Sequence, residues 1–468
     1  MVSIPAAKPG RQVPDPDMAF VGRLRRTRTA FYMLCGYLLA QSFQIPLFPI
    51  GSSWAIWPTF SDGFAAMLIL CFITGYRDFK SISMANSRIL NNLTLILCAT
   101  FFVLIAIHSA NLIRGTAVNP RASSFGIFQF YRLMEFTLIF RIAAGIPITP
   151  RRLRTLSKSV GAALLMAVIG LVGTYTSIIK TSRLASHLPS DFSTAGPWAY
   201  LTNTQLRDVG AIGYNHAYTA LQIIMLAALY LALQTRRSRV LVILCLIAAF
   251  GGIFLTGSRA GMAAVLFFLA AYFLRRPSTL IVAGAISILL LLGARSVKFH
   301  NINFDPTMER EMTLADPLDP RNLSGRRDIW RRSLEFIREN PVRAMVGAGP
   351  GSASEMGTNA HMLFLQILLE GGLVGLIIFG RAAYTVLHQL QKQKSRASPI
   401  LWATVALLIS SLTQETFYPV PAFGHFLGFY LCSVAIILNP CRQVTAAWRQ
   451  PYACNHRNAV LQLGEDAR

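Results

Sequence analysis

The sequence predicts an all-α, polytopic membrane protein of about twelve transmembrane helices, with one large helix-containing loop between the ninth and the tenth. Three observations predict it. Of 468 residues, 53% are hydrophobic and only 14% charged, with a mean hydropathy of +0.47, whereas soluble proteins carry about 25% charged residues. Apolar stretches near the ~20 residues that a helix needs to cross ~30 Å of hydrocarbon recur along the whole chain. Lysines and arginines cluster after every second stretch, the pattern that orients a membrane protein.

In order, the predicted spans are 29–49, 54–76, 89–113, 123–145, 160–179, 211–233, 240–256, 259–274, 278–294, 359–380, 399–417 and 420–438. They are continuously apolar, which fits helices; barrel strands alternate. Arg23, Arg25, Arg26 and Arg28 precede the first span. Arg77, Lys80 and Arg88 follow the second, Arg151, Arg152 and Arg154 the fourth, Arg236, Arg237 and Arg239 the sixth, Arg275 and Arg276 the eighth, and Lys392, Lys394 and Arg396 the tenth. If spans alternate, all these clusters face one side, the cytoplasm, together with both termini. The organisation expected is a cytoplasmic segment 1–28, spans within 29–294, a periplasmic loop 295–358, spans within 359–438 and a cytoplasmic tail 439–468.

The same pattern accounts for the net charge of +24. It is a topology signal, and nucleic acid is not an expected partner. No small-residue cleavage site follows the first span, so it reads as a retained anchor. Five of the seven cysteines, Cys35, Cys71, Cys98, Cys245 and Cys432, lie inside spans, and Cys441 and Cys454 lie in the tail. That leaves no disulfide framework and no zinc spacing.

Within the large loop, 326–340 has helical periodicity, with Trp330, Leu334 and Ile337 on one face, Ser324 as a cap and Pro341 as a stop. Its start, with Arg326 and beside it Arg327, offers guanidinium groups and backbone N–H groups to a phosphate; a surface helix with a solvated basic face is the plainer alternative. The glycine-rich 346–352 lacks the GK[ST] of a nucleotide loop and reads as a tight return to the membrane. Arg259, where the seventh span turns into the eighth, and His361, opening the tenth, share the outer interface beneath that loop. Singly, such residues snorkel or are structural; together they could hold an anionic, membrane-borne substrate with a group to be deprotonated. Arg132 and Glu135 lie one turn apart inside the fourth span and could pair. Glu370, with Gly371, Gly372 and Gly375, points to a kink or close helix packing.

At these residues the chain resembles the O-antigen ligase and polymerase superfamily of bacterial envelope glycosyltransferases. The matching pieces are Leu-Thr-Gly-Ser-Arg-Ala-Gly (255–261), Ser-Gly-Arg with Ile-Trp (324–330), Gly-Ala-Gly-Pro-Gly (347–351) and His-Met-Leu-Phe-Leu-Gln-Ile-Leu-Leu-Glu-Gly-Gly-Leu-Val-Gly-Leu (361–376). Met362 stands where many members have asparagine. The resemblance implies transfer of a glycan from undecaprenyl diphosphate, in the outer leaflet of the inner membrane, to an acceptor hydroxyl, with no cofactor or metal ion and with inversion. It gives His361 as the general base and Arg259 and Arg326 as the diphosphate-binding arginines; Arg327, Arg132, Glu135 and Glu370 are secondary candidates by their positions alone. Imidazole titrates near about 6.5 in model peptides, which suits proton abstraction at neutral pH.

The first outer loop, 50–54, has no carboxylate of the kind that metal-dependent membrane glycosyltransferases place there. Asp305, Glu309, Glu311, Asp316 and Asp319 in the late loop leave a metal open, with solubility as their plainer role. The expected partners are the lipid-linked glycan, lipid A–core or a growing polysaccharide as acceptor, and membrane lipids. A ligase is favoured slightly over a repeat-unit polymerase. Arg338 and Gly349 match an arginine-to-glycine spacing of some polymerases once, and 180–210 does not repeat it. A transporter, the remoter alternative, would show an internal repeat, and none is evident.

Overall fold

The computed structural model describes residues 22–42, 58–79, 81–114, 120–175, 216–234, 239–274, 326–339, 341–353, 359–393, 396–419 and 425–440, with a few isolated positions near 280. Most of the ninth predicted span, the 180–210 segment, the acidic part of the large loop, Ser324, the 50–54 loop and both tails lie outside the described residues. What is described is all-helical, 85% helix without a strand.

The helices are α1 (Arg28–Ala40), α2 (Phe60–Thr74), α3 (Met84–Arg114), α4 (Pro120–Gly145), α5 (Pro150–Tyr175), α6 (His216–Leu233), α7 (Arg239–Thr256) and α8 (Arg259–Phe273), then α9 (Arg326–Arg338), α10 (Pro341–Val346), α11 (Leu363–Lys392), α12 (Ser398–Ser410) and α13 (Phe426–Leu438). Three stretches, Met84–Ser109, Pro150–Gly173 and Leu363–Lys392, are long and apolar enough to cross a membrane, and six shorter helices are apolar. Among the described residues, three of the expected twelve spans therefore coincide with candidate membrane-crossing helices. Large apolar side chains such as Leu70, Ile73, Phe102, Leu244 and Ile377 lie exposed on the outside of the bundle, as expected where hydrocarbon is the solvent. All five cysteines among the described residues are free.

α6 and α13 are apolar all round, and both are buried along nearly their whole length. α6 packs on α5, α7, α8, α12 and α13; α13 packs most closely on α4.

The bundle has two ends. At one, basic and amide side chains tie segments far apart in sequence: Arg23 donates to the carbonyl of Gly145 (3.1 Å), Arg152 to those of Leu24 (2.6 Å) and Pro147 (3.0 Å), and Asn439 to those of Ala143 and Ile146. Arg26 pairs with Asp78, and Arg396 reaches the carbonyl of Asn439. These are the segments whose arginines and lysines the sequence assigns to one side. Arg141 donates to the carbonyl of Phe79 at 2.5 Å.

Candidate functional site

The opposite end gathers the starts of α6, α8 and α11 and the turn after α12. His361 lies two residues before α11, with a backbone φ of +48°; it is the single non-glycine residue with positive φ among the described residues. A non-glycine side chain in this region is strained and needs neighbours that fix it. They are present. Trp330 Nε1 donates to the carbonyl of Ala360 (2.9 Å), Gln366 Oε1 accepts from the Ala360 N–H (2.8 Å), and the Leu363 N–H donates to the carbonyl of Ser411 (2.9 Å).

The fourth tie is Glu415. Its Oε1 accepts from the backbone N–H of His361 and lies 3.5 Å from His361 Nδ1. The carboxylate is fully buried while the imidazole is 38% exposed, and Glu415 Oε2 is buried without a hydrogen-bond partner. The pair thus sets an accessible imidazole against a buried carboxyl group that lacks one hydrogen-bond partner. Glu415 is absent from the sequence expectations because it ends a stretch read as the eleventh span. The available signal is that it is the single acidic residue between 399 and 438.

Arg259 begins α8 after a turn at Gly257 (φ +61°), and Ser258 caps the helix by accepting from the Gly261 N–H at 3.1 Å. A Cβ on Gly261 would come within 2.4 Å of Ala220 Cβ, so this start is pressed against α6. Two residues earlier on α6, the Tyr218 hydroxyl donates to the carbonyl of Glu415 (3.0 Å). Arg259 is thereby held at the level of the His361–Glu415 pair.

Arg326 begins α9, the helix expected from 326–340. Its docked face is Trp330, Ser333 and Ile337, whereas Leu334 is exposed. Ile337 packs with Ala360, Leu365 and Leu369, and α9 ends before Pro341, which starts α10. Arg326 precedes Trp330 by one turn and shares its face, on the side toward Ala360. Arg327 is exposed. Arg259 and Arg326 are each the first residue of a helix, where the dipole opposes a cation and favours an anion.

The glycine-rich loop is a structural plug. Gly372 breaks α11 with φ +61° and ψ −165°, and the Leu369 and Glu370 carbonyls accept from the N–H groups of Ala348 (2.8 Å) and Gly349 (2.9 Å). The kink expected around Gly371 and Gly372 is present. A Cβ on Gly347 would meet the Glu370 carbonyl group at 2.3 Å, and one on Gly126 of α4 would meet the Pro350 carbonyl at 2.5 Å. Glu370 anchors the assembly, accepting from Gln366 Nε2 (2.7 Å) and the Tyr418 hydroxyl (2.6 Å). It belongs to this plug and not to the His361 pair.

Arg132 and Glu135 pair as expected (2.7 Å), in a larger network that the sequence did not reveal. Arg132 Nη1 also meets Asp62 Oδ1 (2.5 Å) and His425 Nε2 (3.0 Å), and His425 Nδ1 lies 3.3 Å from the Tyr37 hydroxyl. Asp62, Glu135 and His425 place one ligand atom each within 4.8 Å of one another, a spacing that suits a cation. The guanidinium of Arg132 takes that place and joins α2, α4 and the start of α13.

No curated protein matches the chain. The family model described as O-antigen ligase matches residues 243–380. This stretch runs from α7 to the middle of α11 and contains Arg259, Arg326 and His361, but not Glu415. The match supports the placing of the chain in the O-antigen ligase and polymerase superfamily.

Proposed function

We propose that the chain is a membrane glycosyltransferase of the O-antigen ligase type. It moves a glycan from undecaprenyl diphosphate to an acceptor hydroxyl, on lipid A–core or a similar acceptor, at the periplasmic face of the bacterial inner membrane, with both termini cytoplasmic. The observation that carries this is the pairing of an accessible His361 with the buried Glu415, at the end of the bundle where Arg259 and Arg326 head helices.

In the proposed reaction, His361 Nε2 takes the proton of the acceptor hydroxyl, while Glu415 holds the ring through the Nδ1 side and stabilises the imidazolium. The hydroxyl oxygen forms a bond to the anomeric carbon from the face opposite the diphosphate. The carbon–oxygen bond to phosphate breaks, its electron pair leaves with the diphosphate, and the configuration inverts. Arg259 and Arg326, with the N–H groups of two helix starts, hold the departing charge. Guanidinium groups supply what a metal ion would, so the scheme needs none. The proton on His361 passes to solvent, which its exposure permits.

Deletion of the gene tests this. Undecaprenyl-linked polymer accumulating beside bare lipid A–core is the expected result. Acceptors capped with a single repeat unit would instead make the chain a polymerase, and an unchanged envelope would rule out both.

A further inference from the structure

Between α3, α4, α11 and α13 lies a cavity of about 260 Å³. It is separate from the His361 pair, on the other side of the glycine plug. Its lining runs from Pro350 and Glu370, at the His361 end of the bundle, to Val386, sixteen residues further along α11. At about 1.5 Å per residue that is ~24 Å, more than half the ~30 Å hydrocarbon thickness. Val374 lines the cavity and is 45% exposed, so the space opens sideways onto the apolar surface.

Its polar groups are already satisfied, with one exception. Thr100, Thr137 and Thr404 each donate to a carbonyl one turn back in their own helix, and both carboxylate oxygens of Glu370 are bonded. Gln129 of α4 lines the same space, is 1% exposed, and has neither its Nε2 nor its Oε1 bonded. Leaving a buried amide unpaired costs about 1–3 kcal/mol per group, so its position calls for a ligand with a hydrogen-bonding atom. Gln129 follows Gly126, the residue against Pro350, by three positions. The unsatisfied amide therefore sits toward the His361 end, and the lining deeper along α11, through Ile378, Phe379 and Val386, is apolar.

A polar group near one membrane face with a hydrocarbon channel leading inward is the form of an acyl ester. We propose that this cavity takes one acyl chain of a glycerophospholipid from the surrounding membrane, with the ester carbonyl accepting from Gln129 Nε2. A purely hydrocarbon isoprenoid chain would leave the amide unpaired.

The full-length protein, purified in mild detergent and freed from micelles in a native mass spectrometer, should retain a phospholipid adduct. Gln129→Leu, close in size, should lower the retained fraction about fivefold, the effect of one lost hydrogen bond. Gly371→Leu should abolish it, because Gly371 lines the cavity and a Cβ there meets nothing within 4 Å. Elution volume and thermal midpoint report folding; if Gly371→Leu fails to fold, Gln129→Leu decides alone. Absence of a lipid adduct from the wild type, an adduct with the mass of a polyprenyl phosphate, or equal phospholipid retention in wild type and folded variants would each overturn the proposal. The measurement does not depend on glycosyl transfer, so its failure leaves the proposed reaction standing, and the reverse.

Discussion

The two ends of the bundle use the same residue types for opposite purposes. At the basic end, side chains meet the ends of helices where carbonyls are left over: Arg23 and Asn439 at the end of α4, Arg396 beyond α13. Positive charge and N–H donors are favourable there. At the His361 end, Arg259 and Arg326 stand on the first residues of α8 and α9, where the helix dipole opposes them unless an anion is near. The backbone differs in the same sense. All six described residues with positive φ, Gly257, Gly347, Gly349, Gly351, His361 and Gly372, belong to the His361 end. The basic end ties its own segments together through these contacts, and the His361 end carries the strained backbone.

The largest effect that could break this contrast is at His361. Asparagine tolerates the left-handed backbone better than most residues, so His361→Asn removes the imidazole with little added strain. Transfer of polysaccharide by purified protein should fall about 10²–10⁴-fold with the thermal midpoint unchanged; retained activity would remove His361 from the chemistry. Glu415→Gln keeps the size and the acceptor for the His361 N–H but removes the charge. A loss of about 10–10²-fold is expected, the scale of one charge-assisted hydrogen bond. An equal loss accompanied by unfolding would make Glu415 structural only.

Gly372→Ala tests the strained backbone itself. The alanine Cβ would lie 2.4 Å from the Met345 carbonyl group at a φ of +61°, which costs about 1–3 kcal/mol. The thermal midpoint should fall, and activity should fall in proportion to the folded fraction. A stable Gly372→Ala protein would show that the kink is not required.

How much of this was legible depends on whether a feature is local. The helix at 326, its stop at Pro341, the kink near Gly372 and the Arg132–Glu135 pair all follow from residues within a few positions of each other, and the structure has them. The partners of those residues were not legible. Asp62 and His425 lie 70 and 293 positions from Arg132, and no local pattern marks either. Glu415 looked like the end of an apolar stretch because hydropathy averages over a window in which one carboxylate counts little. Leu334 shares the spacing of Trp330 and Ile337 in sequence yet is exposed, because periodicity alone does not tell which side of an amphipathic helix finds a partner; Ser333 has that place. The span count went furthest past what the described helices show, since apolar length in sequence includes turn residues, as where α12 ends at Ser410 within the stretch 399–417.

The smallest expected effect lies at the basic end and separates contact from contribution there. Arg26 and Asp78 approach to 2.5 Å, the shortest salt bridge at that end, yet the Arg26 side chain is 59% exposed. Water already solvates it, so Arg26→Gln should cost about 0–1 kcal/mol of stability and leave transfer unchanged. Arg152, one of several neighbouring arginines in sequence, is buried and gives its N–H groups to two carbonyls and to Thr27 Oγ1. Its removal would leave those acceptors unpaired, so Arg152→Gln should destabilise more than Arg26→Gln in the same thermal unfolding measurement. If the two variants melted alike, the basic end would be held by charge count alone. The contrast between the two ends would then have to rest on the strained backbone of the His361 end by itself.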